Sequence, residues 1–168
     1  MTLEQLNQLS AETAAQAFGQ CCAASDWISG MVAGRPYETT DALLANADQV
    51  WSSLDETNLL EAFGAHPQIG NVNSLRKKYA STKALAAGEQ SAVSQASEET
   101  LQALAQGNLD YEKKFGFIFI VCATGKSALE MLELLQARLP NTREQELLNA
   151  AREQHAITVL RLQKLLQE

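Results

Sequence analysis

The sequence predicts an all-α fold: a single-domain helical bundle over residues 1–168, with about eight to nine helices and one short extended apolar segment. Three observations predict it. Ser, Thr, Asp and Asn recur directly before stretches whose apolar residues repeat every three to four positions. The three prolines, Pro36, Pro67 and Pro140, fall between those stretches rather than inside them. Only one run, Phe115 to Cys122, is aromatic and β-branched enough to read as extended.

The elements follow in order. Thr2-x-x-Gln5 is a capping-box pattern that opens a short helix. Ser10 caps a second, with Ala14, Ala17, Phe18 and Cys21 at helical spacing. Ser25 opens a short segment carrying Trp27, Ile28 and Met31, which Gly34-Arg35-Pro36 breaks. Thr40 caps the next, with Leu43, Leu44, Ala47, Val50, Trp51 and Leu54 on one stripe. Asp55 caps another through Leu59, Leu60 and Phe63, ending at Gly64-Ala65-His66-Pro67. Ile69 to Asn73 reads as a loop, and Ser74 begins a helix that runs to Ala87, where Gly88 interrupts it. Ser97-Glu98-Glu99 starts a helix with Leu101, Leu104, Leu109 and Tyr111. After the extended run and Gly125, Ser127 caps a helix through Leu129, Met131, Leu132, Leu134, Leu135 and Leu139, stopped by Pro140. Asn141-x-x-Glu144 opens the long last helix, with Leu147, Leu148, Ala151, Val159, Leu162, Leu165 and Leu166 on its apolar side.

Composition narrows the function classes. With 46% hydrophobic and 20% charged residues the chain is globular, and 168 residues bury a core without disulfides or metal. A net charge of −7 argues against nucleic acid and anionic membranes as partners, since both require clustered Lys and Arg. The three cysteines are odd in number, Cys21 and Cys22 are adjacent, and no metal-ligand spacing occurs, so free buried thiols in a reducing compartment are expected. No apolar run approaches the ~20 residues that span a bilayer, and the N-terminus lacks the pattern of a signal peptide.

A few residues could carry chemistry. His66 precedes a proline, which pushes it out of α geometry and aims its imidazole on a defined vector; it could also simply stabilise the last helical carbonyls. Glu89 lies among Ala86, Ala87, Gly88, Ala92 and Val93, small residues that leave room for a ligand, and Gln90 adds an amide; a solvated pair on a helix surface has the same pattern. The backbone of Phe115 to Val121 has no sheet partner in view, so its N–H and C=O groups need others, a polar ligand among them. Arg161, with Ile157, Thr158 and Leu165 around it, suggests a buried partner anion or a snorkelling side chain. His155 reads as a helix-surface or partly packed residue, and Glu144, Glu146, Arg143 and Arg152 as helix-surface charge. Two isolated histidines do not make a metal site.

Taken together, His66-Pro67-x-Ile69-Gly70, Glu89-Gln90, Tyr111-x-x-Lys114-Phe115-Gly116-Phe117-Ile118-Phe119-Ile120, Arg138-Leu139-x-Asn141 and Leu160-Arg161-Leu162 resemble the 2-oxo-4-hydroxy-4-carboxy-5-ureidoimidazoline (OHCU) decarboxylases. The elements occur in the family's order, from about Leu3 to Leu166. The resemblance implies an all-α, cytoplasmic homodimer that needs no cofactor and no metal. It would convert an anionic ureidoimidazoline to (S)-allantoin in urate breakdown. It implies His66 and Glu89 as catalytic residues. Pro67, Ala86, Gln90, the backbone of Phe117, Ile118, Phe119, Ile120 and Val121, and Arg161 would bind substrate. Two positions depart from the family's usual pattern: Ala86 stands where many members carry Ser, and Ile118 where many carry Pro. The competing expectations are a non-catalytic helical binding module, a related enzyme acting on another ureide, and a metal-dependent hydrolase using both histidines.

Overall fold

The structure, a computed structural model, describes residues 1–67, 72–77, 79 and 97–167. Among them there are helices and connecting segments but no strand, as the capping and periodicity predict. By their internal contacts they form two compact units, Met1–His66 with Ala150–Glu168, and Pro67–Asn149. No helix among the described residues is long and apolar enough to cross a membrane.

The first unit contains α1 (Leu3–Gln8), α2 (Ala11–Gly19), α3 (Ser25–Ala33), α4 (Thr40–Ser52) and α5 (Glu56–Gly64). Its start is the capping box read from Thr2: Gln5 N–H donates to Thr2 Oγ1, and Thr2 N–H donates to Gln5 Oε1 at 2.8 Å. Ser10 and Asp55 cap α2 and α5 through the N–H groups of Thr13 and Asn58. Two caps differ by one residue from the sequence reading. Thr39, not Thr40, accepts from Ala42 N–H at 3.0 Å, because Thr39 has the extended backbone that a cap requires. Ser25 is the first residue of α3, and Ala24 before it offers no side-chain cap. The carboxylate of Glu61 on α5 does the work instead, accepting from the Ser25 N–H at 2.5 Å and the Ser25 hydroxyl at 3.1 Å. A negative charge at that end also complements the helix dipole. The core holds Leu6, Phe18, Trp27, Met31, Leu43, Phe63 and Leu162, with Trp27 edge-on to Phe18. Trp51 Nε1 donates to the Ala151 carbonyl at 3.0 Å and ties α4 to the last helix, α8 (Arg143–Leu165).

The second unit contains α6 (Glu98–Phe115), α7 (Ala128–Arg138) and the opening residues of α8. Residues 72–77 are helical too, so that helix is under way before the expected start at Ser74; the remainder of the predicted stretch to Ala87 and Gly88 lies outside the described residues. Ser97 and Ser127 cap α6 and α7 as read. The cap of α8 is Thr142 with Gln145, each N–H donating to the other's side chain, rather than Asn141 with Glu144. Asn141 is occupied elsewhere, donating to Glu146 at 2.9 Å. α6 ends when Gly116 takes the left-handed conformation (φ 84°), which a side chain would disfavour, so Phe115 closes the helix and the apolar run continues beyond it without helix or strand.

Some expected core leucines are surface residues. In α7 the buried stripe is Ala128, Met131, Leu132 and Leu135, which leaves Leu129 one step off it and 54% exposed; Leu109 and Leu148 are exposed likewise. α6 and α7 approach closely at Gly107, where a β-carbon would run into the side chain of Leu135. Gly107→Ala is therefore expected to lower unfolding free energy by about 1–3 kcal/mol through overpacking, read as a reduced denaturation midpoint.

Candidate active site

The backbone fixes the first candidate residue. α5 ends in a turn where the Ala65 and His66 N–H groups donate to the Ala62 and Phe63 carbonyls. Pro67 prevents continuation, because it has no N–H and excludes α geometry from the residue before it. His66 is left half-buried on a cavity of about 410 Å³ within the first unit. Small residues make the room: Gly19 at the end of α2, Ala23 beyond it, and Ala62 and Ala65 at the end of α5. α8 contributes Gln154 and Arg161 to the lining, two turns apart on one face.

The hydrogen bonds and charges are definite. His66 Nε2 and Gln154 Oε1 are 2.5 Å apart. Gln154, with 1% of its surface exposed, donates through Nε2 to Thr158 Oγ1 at 3.1 Å, and the Thr158 hydroxyl donates to the Gln154 main-chain carbonyl at 3.0 Å. Arg161 donates to the Cys21 carbonyl at 3.4 Å. Burial lowers the pKa of His66 below the ordinary imidazole value; the Gln154 hydrogen bond opposes this, and the charge of Arg161 adds to it. Burial pushes the Cys21 thiol up to about 11 and raises Cys22 as well, so the two thiols stay protonated as small apolar groups. Arg161 is thus the one formal charge that the described lining presents near neutrality, and it suits an anion.

Of the residues singled out in sequence, the structure brings His66 and Arg161 to one cavity. The partner of Arg161 among the described residues is a main-chain carbonyl and not the buried anion considered above. Pro67 follows His66 with its ring exposed. Ala86, Glu89 and Gln90 lie outside the described residues, as do Ile69 and Gly70. His155 is partly packed, its Nε2 3.4 Å from Asp48 and its buried Nδ1 without a partner. No three His, Cys, Asp or Glu side chains among the described residues gather as metal ligands would.

Phe117 to Val121 belong to the second unit. Phe117, Phe119 and Ile120 are buried, whereas Ile118 and Val121 are half-buried. Lacking a sheet, this stretch takes partners from cationic side chains. Arg138 Nη1 donates to the Ile120 carbonyl at 2.7 Å, Lys126 to that of Cys122 at 2.9 Å, and Arg143 to that of Phe115 at 3.1 Å. Arg138 is itself held, with Nε on Glu146 at 2.7 Å and its guanidinium 4.7 Å from the centre of the Phe119 ring. Glu146 is fully buried, which corrects its reading as surface charge, and it also accepts from Tyr111, Asn141 and Asn149. Sequence reasoning missed Gln154 as well. A signal existed: Gln154, Thr158 and Arg161 repeat at helical spacing in line with the buried Ala150 and Leu162.

Known proteins resemble this chain in sequence and in fold. The sequence model of the family described as OHCU decarboxylase matches residues 7–163. The chain is 39% identical over 145 residues to the uric acid degradation bifunctional protein TTL of Arabidopsis thaliana, covering 86% of this chain and 45% of that protein. It is 26% identical over 163 residues to the 2-oxo-4-hydroxy-4-carboxy-5-ureidoimidazoline decarboxylase of Haloferax volcanii, covering 96% and 94%. It therefore spans less than half the length of the first and nearly all of the second. A crystal structure of OHCU decarboxylase in the presence of (S)-allantoin superposes with a TM-score of 0.74 at 36% identity, over 95% of this chain and 100% of that one. With a helical fold, a cavity that pairs His66 with Arg161, and a family match running almost end to end, the chain belongs to the OHCU decarboxylase family, lyases of urate degradation.

Proposed function

We propose that this chain is a cofactor-independent decarboxylase that converts OHCU to (S)-allantoin. The observation that carries the reading is the shared cavity of His66 and Arg161: a half-buried imidazole and a cation in a chain of net charge −7, matching an anionic substrate. The substrate carries a carboxylate and a hydroxyl on one ring carbon. Decarboxylation breaks the bond to the carboxylate, its electron pair passes into the conjugated ring, and CO2 leaves. A proton taken up from solvent then reaches one face of the ring, which sets the stereochemistry. Arg161 meets the anion. His66 with Glu89 forms the acid/base pair, and Pro67, Ala86, Gln90 and the backbone of Phe117 to Val121 line the substrate, with main-chain N–H groups offsetting the developing charge. The family match crosses the boundary between the two units, which supports one functional domain over 1–168. A cytoplasmic homodimer completes the proposal.

Circular dichroism tests it. OHCU is generated in situ from urate by the two preceding enzymes, and this protein is added. A rapid (S)-allantoin signal is expected; unchanged slow decay to racemic product would overturn the reading.

The acid limb of the rate profile follows from the lowered pKa of His66. Only neutral imidazole has a lone pair, so turnover is expected to stay level above neutrality and to fall on acidification below about pH 6.5. The neighbouring Cys22 thiol, raised by burial, keeps its proton through that range. A limb centred above pH 7 would contradict it.

A further inference from the structure

We infer that Gln154 is a positioning residue that holds His66 in a single tautomer, with the proton on Nε2 and the lone pair on Nδ1. The inference deepens the functional reading above and rests on it for its catalytic meaning.

The available donors fix the orientation of the amide. A primary amide has an accepting end and a donating end, and buried polar groups are expected to be paired. The Thr158 hydroxyl has a single proton, and that proton goes to the Gln154 main-chain carbonyl at 3.0 Å. Toward the Gln154 side chain Thr158 can then only accept, so the amide nitrogen faces it at 3.1 Å. The amide oxygen is thereby turned to His66, 2.5 Å from Nε2. An oxygen there requires a proton on Nε2, and the neutral ring keeps its lone pair on Nδ1.

Burial makes the arrangement rigid. Gln154 and Thr158 are each 1% exposed and lie one turn apart on α8, so with the His66 ring in place their mutual bonds compete with little water. A carboxamide suits the task better than a carboxylate would. It accepts the N–H without adding the negative charge that would favour imidazolium, and so leaves the ring able to accept a proton.

The protein has only two histidines, which makes the test direct. Nitrogen-15 NMR of histidine-labelled protein, with His155→Gln for assignment, reads each ring's tautomer without any turnover. Wild type is expected to show His66 as the Nε2–H form alone at neutral pH. Gln154→Leu should populate the Nδ1–H form and lower kcat about 10- to 100-fold with KM changed less than threefold. Gln154→Glu, similar in shape and still an acceptor, should restore the single tautomer while moving the acid limb of the rate profile to higher pH. A purely structural role for Gln154 would predict neither the tautomer change nor the displaced limb. An Nδ1–H signal from His66 in wild type, or a Gln154→Leu protein with one Nε2–H tautomer and wild-type kcat, overturns the inference. Wild-type protein with the expected tautomer but no (S)-allantoin would overturn the functional reading and leave the tautomer assignment standing.

Discussion

His66→Ala is expected to abolish formation of optically active allantoin, lowering turnover by about 10²–10⁴-fold, the range for removal of a positioned acid or base. The fold should survive. The imidazole lies on a cavity wall at a helix end and fills no part of the core, so its loss opens no new void. The one partner it leaves behind, the Gln154 oxygen, faces a cavity that water can enter. The check is a pair of measurements on one preparation: growth of the (S)-allantoin signal from enzymatically generated substrate, and the thermal unfolding midpoint. Undiminished turnover would remove His66 from the mechanism. Lost turnover with a collapsed midpoint would assign it a structural role instead.

Glu146→Ala is expected to have the largest effect on stability, about 3–5 kcal/mol, because it leaves the mostly buried Arg138 side chain, 12% exposed, without its counter-charge. It also strips acceptors from Tyr111, Asn141 and Asn149 at once. The pH dependence has a determined sign. Burial alone would raise the pKa of Glu146, but the hydrogen bonds from Asn141, Tyr111, Asn149 and Arg138 outweigh it and hold the carboxyl below its ordinary value. A carboxyl lowered on folding stabilises the native state above its unfolded pKa of ~4.3 and loses that contribution as pH falls through the folded value. Denaturant titrations should therefore separate wild type and Glu146→Ala widely at pH 7 and bring them together below about pH 4. A gap that persists on acidification would mean that packing, not the ionised carboxylate, stabilises this region.

These two residues mark what could be read in the sequence and what could not. His66 was legible because its constraint is local: a proline at the next position and a helix ending before it. Most caps were legible for the same reason, and those at Thr2, Ser10, Asp55, Ser97 and Ser127 carry the bonds their spacing predicts. Where two capping residues adjoin, as at Thr39 and Thr40 or Asn141 and Thr142, backbone conformation and distant partners choose between them. Glu146 was misread because its local pattern, amid Arg143, Glu144 and Gln145, is that of a solvated helix start. Its burial depends on Tyr111 and Arg138, which no helical periodicity connects to it. Gln154 went unnoticed since a lone amide on a long helix is ordinary; only its alignment with Thr158 and Arg161 sets it apart.

The extended segment in the second unit is gripped by its carbonyls, through Arg138 on Ile120 and Lys126 on Cys122, with Glu146 steadying Arg138 from below. That has a consequence for tolerance to substitution. A side chain can be exchanged at half-buried Ile118 without loosening either grip, and even loss of the amide proton there leaves both intact. Proline in place of Ile118 is therefore compatible with the same course of the main chain. The constraint on the main chain falls instead on Arg138 and Glu146, which make and steady the contact.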